Sequence, residues 1–292
     1  MRVGEWLRRL ALIPVVAIAS YLLMGALPFN LGDDAKHQLP PELLASYRHD
    51  LGIGEPLGFL RPWEKLFEGE RLGTSAQGVT GEELLEKLGG SLAVGSVALS
   101  LALLWAALFA ALRVRLSGTR AWAVGELVPA FALGTPVFIP ALLFAPYVVE
   151  RGHFLPELAA ALVVSVWPGI YLGTLVAGTV RDEQARDYVR TARAKGLSAR
   201  TLLLKHVMPN VLPALLDSLA PVATSVLAGS FAAEHVLGLP YFGELYVLAV
   251  LEKQVAVVVV ATTVFSALLV LVGAVLAAVR LHVDPRAGEV AR

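Results

Sequence analysis

The chain has 292 residues, no cysteine, and 24 basic residues balanced by 24 acidic ones. Disulfides, thiolate metal sites and a cysteine nucleophile are therefore excluded, and a net charge of zero makes no case for nucleic-acid binding. Only 16% of the residues are charged, against about a quarter in a typical soluble domain. The uncharged residues fall in long runs, which indicates an integral membrane protein.

Six segments are apolar and long enough to cross a bilayer as helices, which takes about 20 residues each. Helices are favoured over a barrel because the runs lack the polar alternation of barrel strands. We expect kinks at internal prolines, above all in the third segment, which contains Pro129, Pro136 and Pro140. The segments run approximately over 10–29, 89–112, 121–149, 158–180, 211–233 and 254–279.

Basic residues lie mainly on one side of these segments. The ends and loops at 1–9, 113–120, 181–210 and 280–292 hold sixteen of the 24 basic residues and six acids. The segment from 30 to 88 holds eleven acids and six bases. The positive-inside rule therefore predicts an all-α membrane protein with six transmembrane helices and both termini in the cytoplasm.

This reading divides the chain into four parts. Residues 1–29 form a cytoplasmic N-terminus and first helix, and 30–88 an extracytoplasmic loop. Residues 89–286 form the core membrane domain, with a polar loop at 181–213, and 287–292 form a cytoplasmic tail.

The polar segment 181–210 predicts two short helices joined by a tight turn. Gly196 suits the position after a helix end, where φ is positive, and Ser198 suits the N-cap of a second helix. We expect Pro209 to end or kink that second helix.

A small, apolar stripe of Ala185, Val189 and Ala192 lies along the first of these helices, beside a face that carries Tyr188 and Lys195. Small residues at this spacing let another protein approach closely, which favours a docking helix for a cytoplasmic partner. The alternative is a basic loop that only fixes membrane topology, and the pattern alone leaves both open.

The residues from Asp187 to Leu197 (DYVRTARAKGL), followed by KHVMPN at 205–210, resemble the EAA loop of ABC importer permeases. The likeness is to the subfamily for dipeptides, oligopeptides and nickel. The resemblance implies a bundle like that of type I importer permeases, in which this loop couples to an ATPase subunit. It implies that role for Asp187, Tyr188, Arg190, Ala192, Arg193, Lys195, Gly196, Leu197 and Pro209. Arg190 stands where the general motif has glutamate.

The resemblance continues from Gly229 to Glu234, and in GLPYFG at 238–243, where Tyr241 replaces a glycine of the family's pattern. LHVDPR at 281–286 is similar to the family's closing motif, and LGTS at 72–75 to a pattern in the outer loop. It implies a multi-pass protein of the bacterial inner membrane that forms half of a translocation pathway. It also implies a second permease, two ATP-binding subunits and a substrate-binding protein, which we expect at the outer loop 30–88.

The chain contains no Gly-Lys dipeptide, so it lacks the phosphate-binding loop of that type of nucleotide site. We therefore expect a transport subunit that is not itself an enzyme, with no cofactor, no catalytic residues and ATP hydrolysis by partner subunits. No His-Glu-x-x-His motif is present, and no metal site is predicted. Glu234 and His235 are a weak alternative as a cation-binding pair.

Three polar residues in the fifth segment are candidates for a pathway or gate, namely Asp217, Ser230 and Glu234. Packing between helices is the alternative for Asp217 and Ser230, and we expect Glu126 to pair with a nearby base such as Arg120.

Two other classes remain open. A secondary transporter would need inverted repeats with paired intramembrane charges, and an intramembrane enzyme would need a matched catalytic set at one depth. Neither pattern stands out. The substrate also stays open among dipeptides, longer peptides, nickel complexes and other small solutes.

Overall fold

A computed structural model describes residues 3–26, 52, 57–73, 78–117, 119, 125, 127–136, 138–145, 155–252 and 254–283. Within these ranges the chain is almost entirely helical, with an isolated antiparallel bridge between Leu72 and Val79. The helices are α1 (Val3–Ala26), α2 (Arg61–Phe67), α3 (Gly81–Leu116), α4 (Leu127–Gly134), α5 (Phe138–Ala145), α6 (Pro156–Gln184), α7 (Asp187–Ala194), α8 (Ala199–Leu202), α9 (Met208–Leu237), α10 (Phe242–Leu251) and α11 (Val255–Val283). A 3₁₀ turn, Gly58–Leu60, precedes α2, and a π-helical turn, Leu203–Val207, joins α8 to α9.

Four helical stretches in the described part of the chain are long and apolar enough to cross a membrane. They are α3, α6, the continuous stretch Ala199–Leu237 and α11, which match the second, fourth, fifth and sixth predicted segments. The apolar part of α1 is Leu10–Leu23, which lies within the first predicted segment. Six crossings remain a prediction.

The helix α3 begins at Gly81, eight residues before the predicted apolar segment, so residues 81–88 are helical. A capping box explains this start. The Thr80 hydroxyl accepts from the Glu83 N–H at 3.3 Å, and the Glu83 carboxylate accepts from the Thr80 N–H at 3.1 Å. The first turns of α3 are polar, and the apolar run therefore begins only at residue 89.

The third predicted segment, in which kinks were expected above all, is not one continuous helix. Instead α4 ends at Gly134 and α5 begins at Phe138. The interruption lies at Pro136, where a helix loses a backbone donor, and the Thr135 hydroxyl donates to the carbonyl of Phe131 at 2.8 Å. By contrast α1, α6 and α9 continue through Pro14, Pro168 and Pro221. Glu126 and Arg120 lie outside the described residues, and α10 was not predicted.

The chain divides into two compact units. The first comprises residues 1–89 and 240–271. In it Arg71 binds Glu83 at 3.0 Å and also donates to the Gly78 carbonyl, next to the Leu72–Val79 bridge. The Lys87 ammonium donates to the Pro240 carbonyl at 2.9 Å, which ties the start of α3 to the turn before α10.

The second unit comprises residues 90–239 and 272–292. Its helix α6 packs most extensively against α9 and contacts α3 through two glycines. A β-carbon on Gly169 would lie 2.8 Å from the Ala102 carbonyl oxygen, and one on Gly173 would lie 2.8 Å from the Ala106 carbonyl oxygen. No larger residue fits at either position, as is common where membrane helices approach closely.

Candidate functional site

The polar segment between α6 and α9 forms the predicted helical hairpin, here residues 185–207. Gly196 follows α7 with a φ of +79°, as a helix-ending glycine requires. The Ser198 hydroxyl then caps α8 by accepting from the Thr201 N–H at 3.2 Å. Both local predictions are confirmed, and together they set the tight turn at the hairpin tip.

The hairpin has a small hydrophobic core of its own. It consists of Val189 and Ala192 from α7, Leu202 and Val207, and Val180 and Val211 from the ends of α6 and α9. Val189 and Ala192 of the small, apolar stripe therefore pack within this chain, whereas Ala185 is exposed. The core fixes the hairpin to the two helices that it connects.

A polar cluster closes the base of the hairpin. The Tyr188 hydroxyl lies 2.6 Å from a carboxylate oxygen of Glu183 and 3.2 Å from the His206 carbonyl, and it accepts from the Asn210 side-chain amide at 3.0 Å. The same amide donates to the His206 carbonyl at 2.9 Å, and Arg186 pairs with Glu183 at 2.9 Å. We call Glu183, Tyr188 and Asn210 the tyrosine clasp.

The clasp favours the neutral phenol. Desolvation of the hydroxyl raises the pKa of Tyr188 above its usual value, and the bond to the Glu183 carboxylate raises it further. The hydroxyl has a single proton, and the shorter contact identifies Glu183 as its acceptor. The clasp therefore connects the end of α6, the start of α7 and the start of α9.

Pro209 does not end the second helix of the hairpin, whereas the kink expected there stays a prediction. The helical path continues from Ala199 to Leu237, with a π-helical turn at Leu203–Val207 and Pro209 in the first turn of α9. Proline clashes with the carbonyl four residues earlier in an α-helix, and the wider π-helical turn changes that spacing. Asn210 supplies a side-chain donor to His206, within the turn.

The outer face of the hairpin carries the other residues that the sequence placed at the coupling site. Asp187, Arg190, Arg193, Lys195 and Leu197 are all exposed. Gly196 has open space where a side chain would stand. Asp187 pairs with Arg190 at 3.4 Å, so Arg193 and Lys195 dominate the charge near the tip.

The three candidate pathway residues lie in α9, and two of them contact other helices of the second unit. Asp217 pairs with Arg280 of α11 at 2.6 Å, and both side chains are partly exposed. Ser230 is fully buried and donates to the Leu227 carbonyl at 2.9 Å. Glu234 is fully buried and accepts from the Ser91 hydroxyl of α3 at 2.7 Å. Asp217 and Glu234 thus make contacts between helices, whereas the described bond of Ser230 lies within α9.

Residues 102–289, more than half of the chain, match the family described as binding-protein-dependent transport system inner membrane component. The chain belongs to this family. The permease is 27% identical over 312 residues to the dipeptide transport system permease protein DppB of Lactococcus lactis, covering 98% of this chain and 97% of that protein. It is 29% identical over 308 residues to the glutathione transport system permease protein GsiC of Salmonella paratyphi A, covering 95% and 96%.

A solved structure, described as the crystal structure of an amino acid ABC transporter with histidines, shares the fold of the permease. The TM-score is 0.53 at 16% identity, covering 67% of this chain and 93% of the other. The family and the relatives together show that the permease is a transport subunit of the bacterial inner membrane.

Sequence reasoning missed several residues that organise the permease. Glu183, Ser91 and Arg280 each hold a candidate residue, yet no motif marks them. Asn210 belongs to the KHVMPN motif, but its bond to Tyr188 was not predicted. Their partners lie on other elements, and so sequence spacing does not reveal them. The Thr80-to-Glu83 capping box carried a readable signal, because threonine followed three residues later by glutamate marks a helix start.

Proposed function

We propose that the permease forms half of the translocation pathway of an ATP-driven importer for peptides or related small solutes. It would cross the membrane six times, with both termini and the hairpin in the cytoplasm. The names of its relatives, which include dipeptide and glutathione permeases, support a peptide-like substrate. The excess of basic residues in the hairpin and terminal segments supports this orientation.

The observation that carries the proposal is the construction of the hairpin. Its core side chains are buried while Arg190, Arg193, Lys195 and Leu197 remain exposed at the tip. A segment with its own core resists bending and moves as one body. We infer that the exposed tip docks on a separate ATP-binding subunit whose surface carries acidic groups around an apolar recess.

Coupling follows from the attachments of the hairpin. Closure of the ATP-binding subunits would displace the tip, and the core and tyrosine clasp would pass that displacement to the ends of α6 and α9. The residues that transmit the motion are Val189, Ala192 and Tyr188, while Arg193, Lys195 and Leu197 make the contact.

The assembly would contain a second permease, two ATP-binding subunits and an extracytoplasmic binding protein that meets the outer segment 30–88. The permease itself would bind no nucleotide, cofactor or nucleic acid. Its membrane helices would contact the lipid bilayer.

Docking is tested by co-purification of the complex after aspartate is introduced at the tip. The variants Arg193→Asp and Leu197→Asp are expected to reduce recovery of the ATP-binding subunits at least tenfold without changing the amount of permease in the membrane. Ala192→Asp is unsuited, because Ala192 is buried in the hairpin core and its replacement would damage the fold. Arg115→Asp on α3 is the matched control, since that side chain is also exposed.

Energy coupling is tested with the assembled complex in proteoliposomes. Uptake is expected to require ATP on the side of the hairpin and to stop when an ATPase subunit is inactivated. Uptake driven by an ion gradient without ATP would overturn the proposal in favour of a secondary transporter. Unchanged co-purification of both tip variants would overturn the docking site alone.

A further inference from the structure

The short helix α2, within the segment 30–88, presents an exposed phenylalanine. Phe67 is the last residue of α2 and is 83% exposed, more than any other large apolar side chain among the described residues. Many exposed apolar side chains lie on the long membrane helices, where lipid covers them, whereas α2 has seven residues and is too short to cross a bilayer. The exposure of Phe67 therefore has another cause.

The end of α2 that carries Phe67 is fixed by a Schellman motif. Gly69 has a φ of +78°, and its N–H donates to the Leu66 carbonyl at 3.2 Å. The Glu70 N–H donates to the Lys65 carbonyl at 2.9 Å, which completes the motif. The Leu72–Val79 bridge and the Arg71–Glu83 pair hold the segment that follows. Phe67 thus stands on an ordered helix end, and an aromatic anchor held in this way loses little conformational freedom when it binds.

The outward side of α2 combines apolar and acidic side chains. Leu60, Glu64 and Phe67 follow the four- and three-residue spacing of one helical side, and all three are exposed. Glu68 and Glu70, which follow Phe67 closely, are exposed as well. We call these five residues the α2 face. An apolar centre with a charged rim is the usual construction of a protein interface.

The charges of the α2 face decide which kind of surface covers it. Carboxylates on both sides of Phe67 disfavour insertion into a membrane, because acidic headgroups repel them and because burial would remove their hydration. A protein surface with an apolar recess and a basic rim suits both the phenylalanine and the acids.

We propose that the α2 face docks the substrate-binding protein of the importer, with Phe67 in an apolar recess and Glu64, Glu68 and Glu70 opposite basic side chains. The inference rests on the proposed function, which places the segment 30–88 outside the cytoplasm and gives the importer such a protein. It adds the anchor residue and the chemistry of the partner's surface.

The test is the affinity of the purified substrate-binding protein for the assembled importer in nanodiscs, measured by surface plasmon resonance. Phe67→Ala is expected to raise the Kd at least tenfold, because a central aromatic residue contributes much of the energy of an interface. Leu85→Ala is the matched control, since Leu85 of α3 is 66% exposed, and it should leave the Kd unchanged. An unchanged Kd for Phe67→Ala, or an equal loss in both variants, would overturn the proposal.

The acidic rim provides an independent measurement. Glu68→Lys is expected to lower the association rate constant about threefold at low ionic strength, and the difference from wild type should disappear as salt is added. Glu86→Lys reverses an exposed charge on α3 and should change the rate less. Faster association of Glu68→Lys would mean that the partner's surface is acidic, and it would overturn the proposal.

A single thiol separates failure of this inference from failure of the proposed function. The chain has no cysteine, so Glu64→Cys places one on the α2 face. A membrane-impermeant maleimide added from outside should label it, and the substrate-binding protein should protect it. Labelling from the cytoplasmic side alone would overturn the proposed orientation and this inference together. Outside labelling without protection would overturn this inference alone, and burial of the thiol in lipid before the partner is added would show that the α2 face binds the membrane instead.

Discussion

The second unit buries two carboxylates near opposite ends of α9, and their surroundings differ. Glu183 is 7% exposed, near the water boundary, and contacts both Arg186 and Tyr188. Glu234 is fully buried and accepts from Ser91 of α3. Glu183 belongs to a cluster whose other members reach solvent, whereas Glu234 lies between membrane helices.

This difference suggests distinct roles for the two ends. At the hairpin, the clasp is joined by several hydrogen bonds and the Arg186–Glu183 ion pair. The loss of one bond therefore leaves its residues in position. At the other end, the hydroxyl of Ser91 joins two helices where water does not replace a lost donor. The hairpin is therefore expected to tolerate polar changes better than the Ser91–Glu234 pair, and to be most sensitive in its apolar core.

The largest effect is expected from Val189→Asp, which would place a charge in the hairpin core. An unpaired buried charge costs about 3–5 kcal/mol. The apparent melting temperature of the purified permease should fall sharply, and ATP-binding subunits should no longer co-purify. Arg190→Asp alters the exposed neighbour and should leave the melting temperature unchanged. Equal melting temperatures for Val189→Asp and Arg190→Asp would mean that the hairpin core does not stabilise the permease.

Next in size is Ser91→Ala, which removes the donor to buried Glu234. Removing one hydrogen bond from a buried carboxylate costs about 1–3 kcal/mol. The melting temperature should fall, and Ser91→Thr should restore part of it. Ser100→Ala is the control, because Ser100 is an exposed serine of the same helix that bonds only to its own backbone at Ser96 among the contacts described. If Ser100→Ala lowered the melting temperature as much as Ser91→Ala, the bond between Ser91 and Glu234 would have no special role in stability.

A smaller effect is expected from Tyr188→Phe, which removes the clasp hydroxyl and costs about 1 kcal/mol at neutral pH. Because the pKa of Tyr188 is raised in the folded state, its stabilisation is complete below the ordinary phenol pKa and is lost as the pH rises through the folded value. The difference in melting temperature between wild type and Tyr188→Phe should therefore narrow in alkaline buffer. Tyr171→Phe, on the exposed side of α6, removes a phenol outside the clasp and is the control for the loss of the hydroxyl itself.

The smallest effect is expected from Asp217→Asn. The Asp217–Arg280 pair is partly exposed, and such pairs contribute about 0–1 kcal/mol, less at high salt. Melting temperature should change little, and any difference from wild type should vanish as ionic strength increases. A loss of uptake with unchanged stability would instead support the predicted pathway role of Asp217.

The long helices and the hairpin turn were predictable because their causes are local. Uncharged runs identify α3, α6 and α11, and Gly196 and Ser198 encode the turn through backbone conformation and capping. The division of the third segment into two helices was harder to predict from the sequence, because a proline can either bend a membrane helix or interrupt it. Pro136 interrupts its segment, whereas Pro168 lies inside a continuous helix.

The hairpin was predictable in position but not in its internal contacts. The motif placed Tyr188 and Ala192 in one loop, yet burial of Ala192 depends on Val180 and Val211, which come from the helices on either side. The partners of Asp217 and Glu234 likewise lie on α11 and α3. Such pairs depend on how helices pack, and a single sequence carries no direct signal for packing.

The π-helical turn at Leu203–Val207 has a consequence for how the hairpin is aimed. Successive residues of an α-helix are rotated by about 100° around its axis. Deleting one residue from this turn could restore regular winding, but it would swing the preceding tip around α9 by roughly that angle. The number of residues in this short stretch therefore fixes the direction in which the tip points around the axis of α9. An insertion or deletion would change that direction even if every side chain at the tip were preserved.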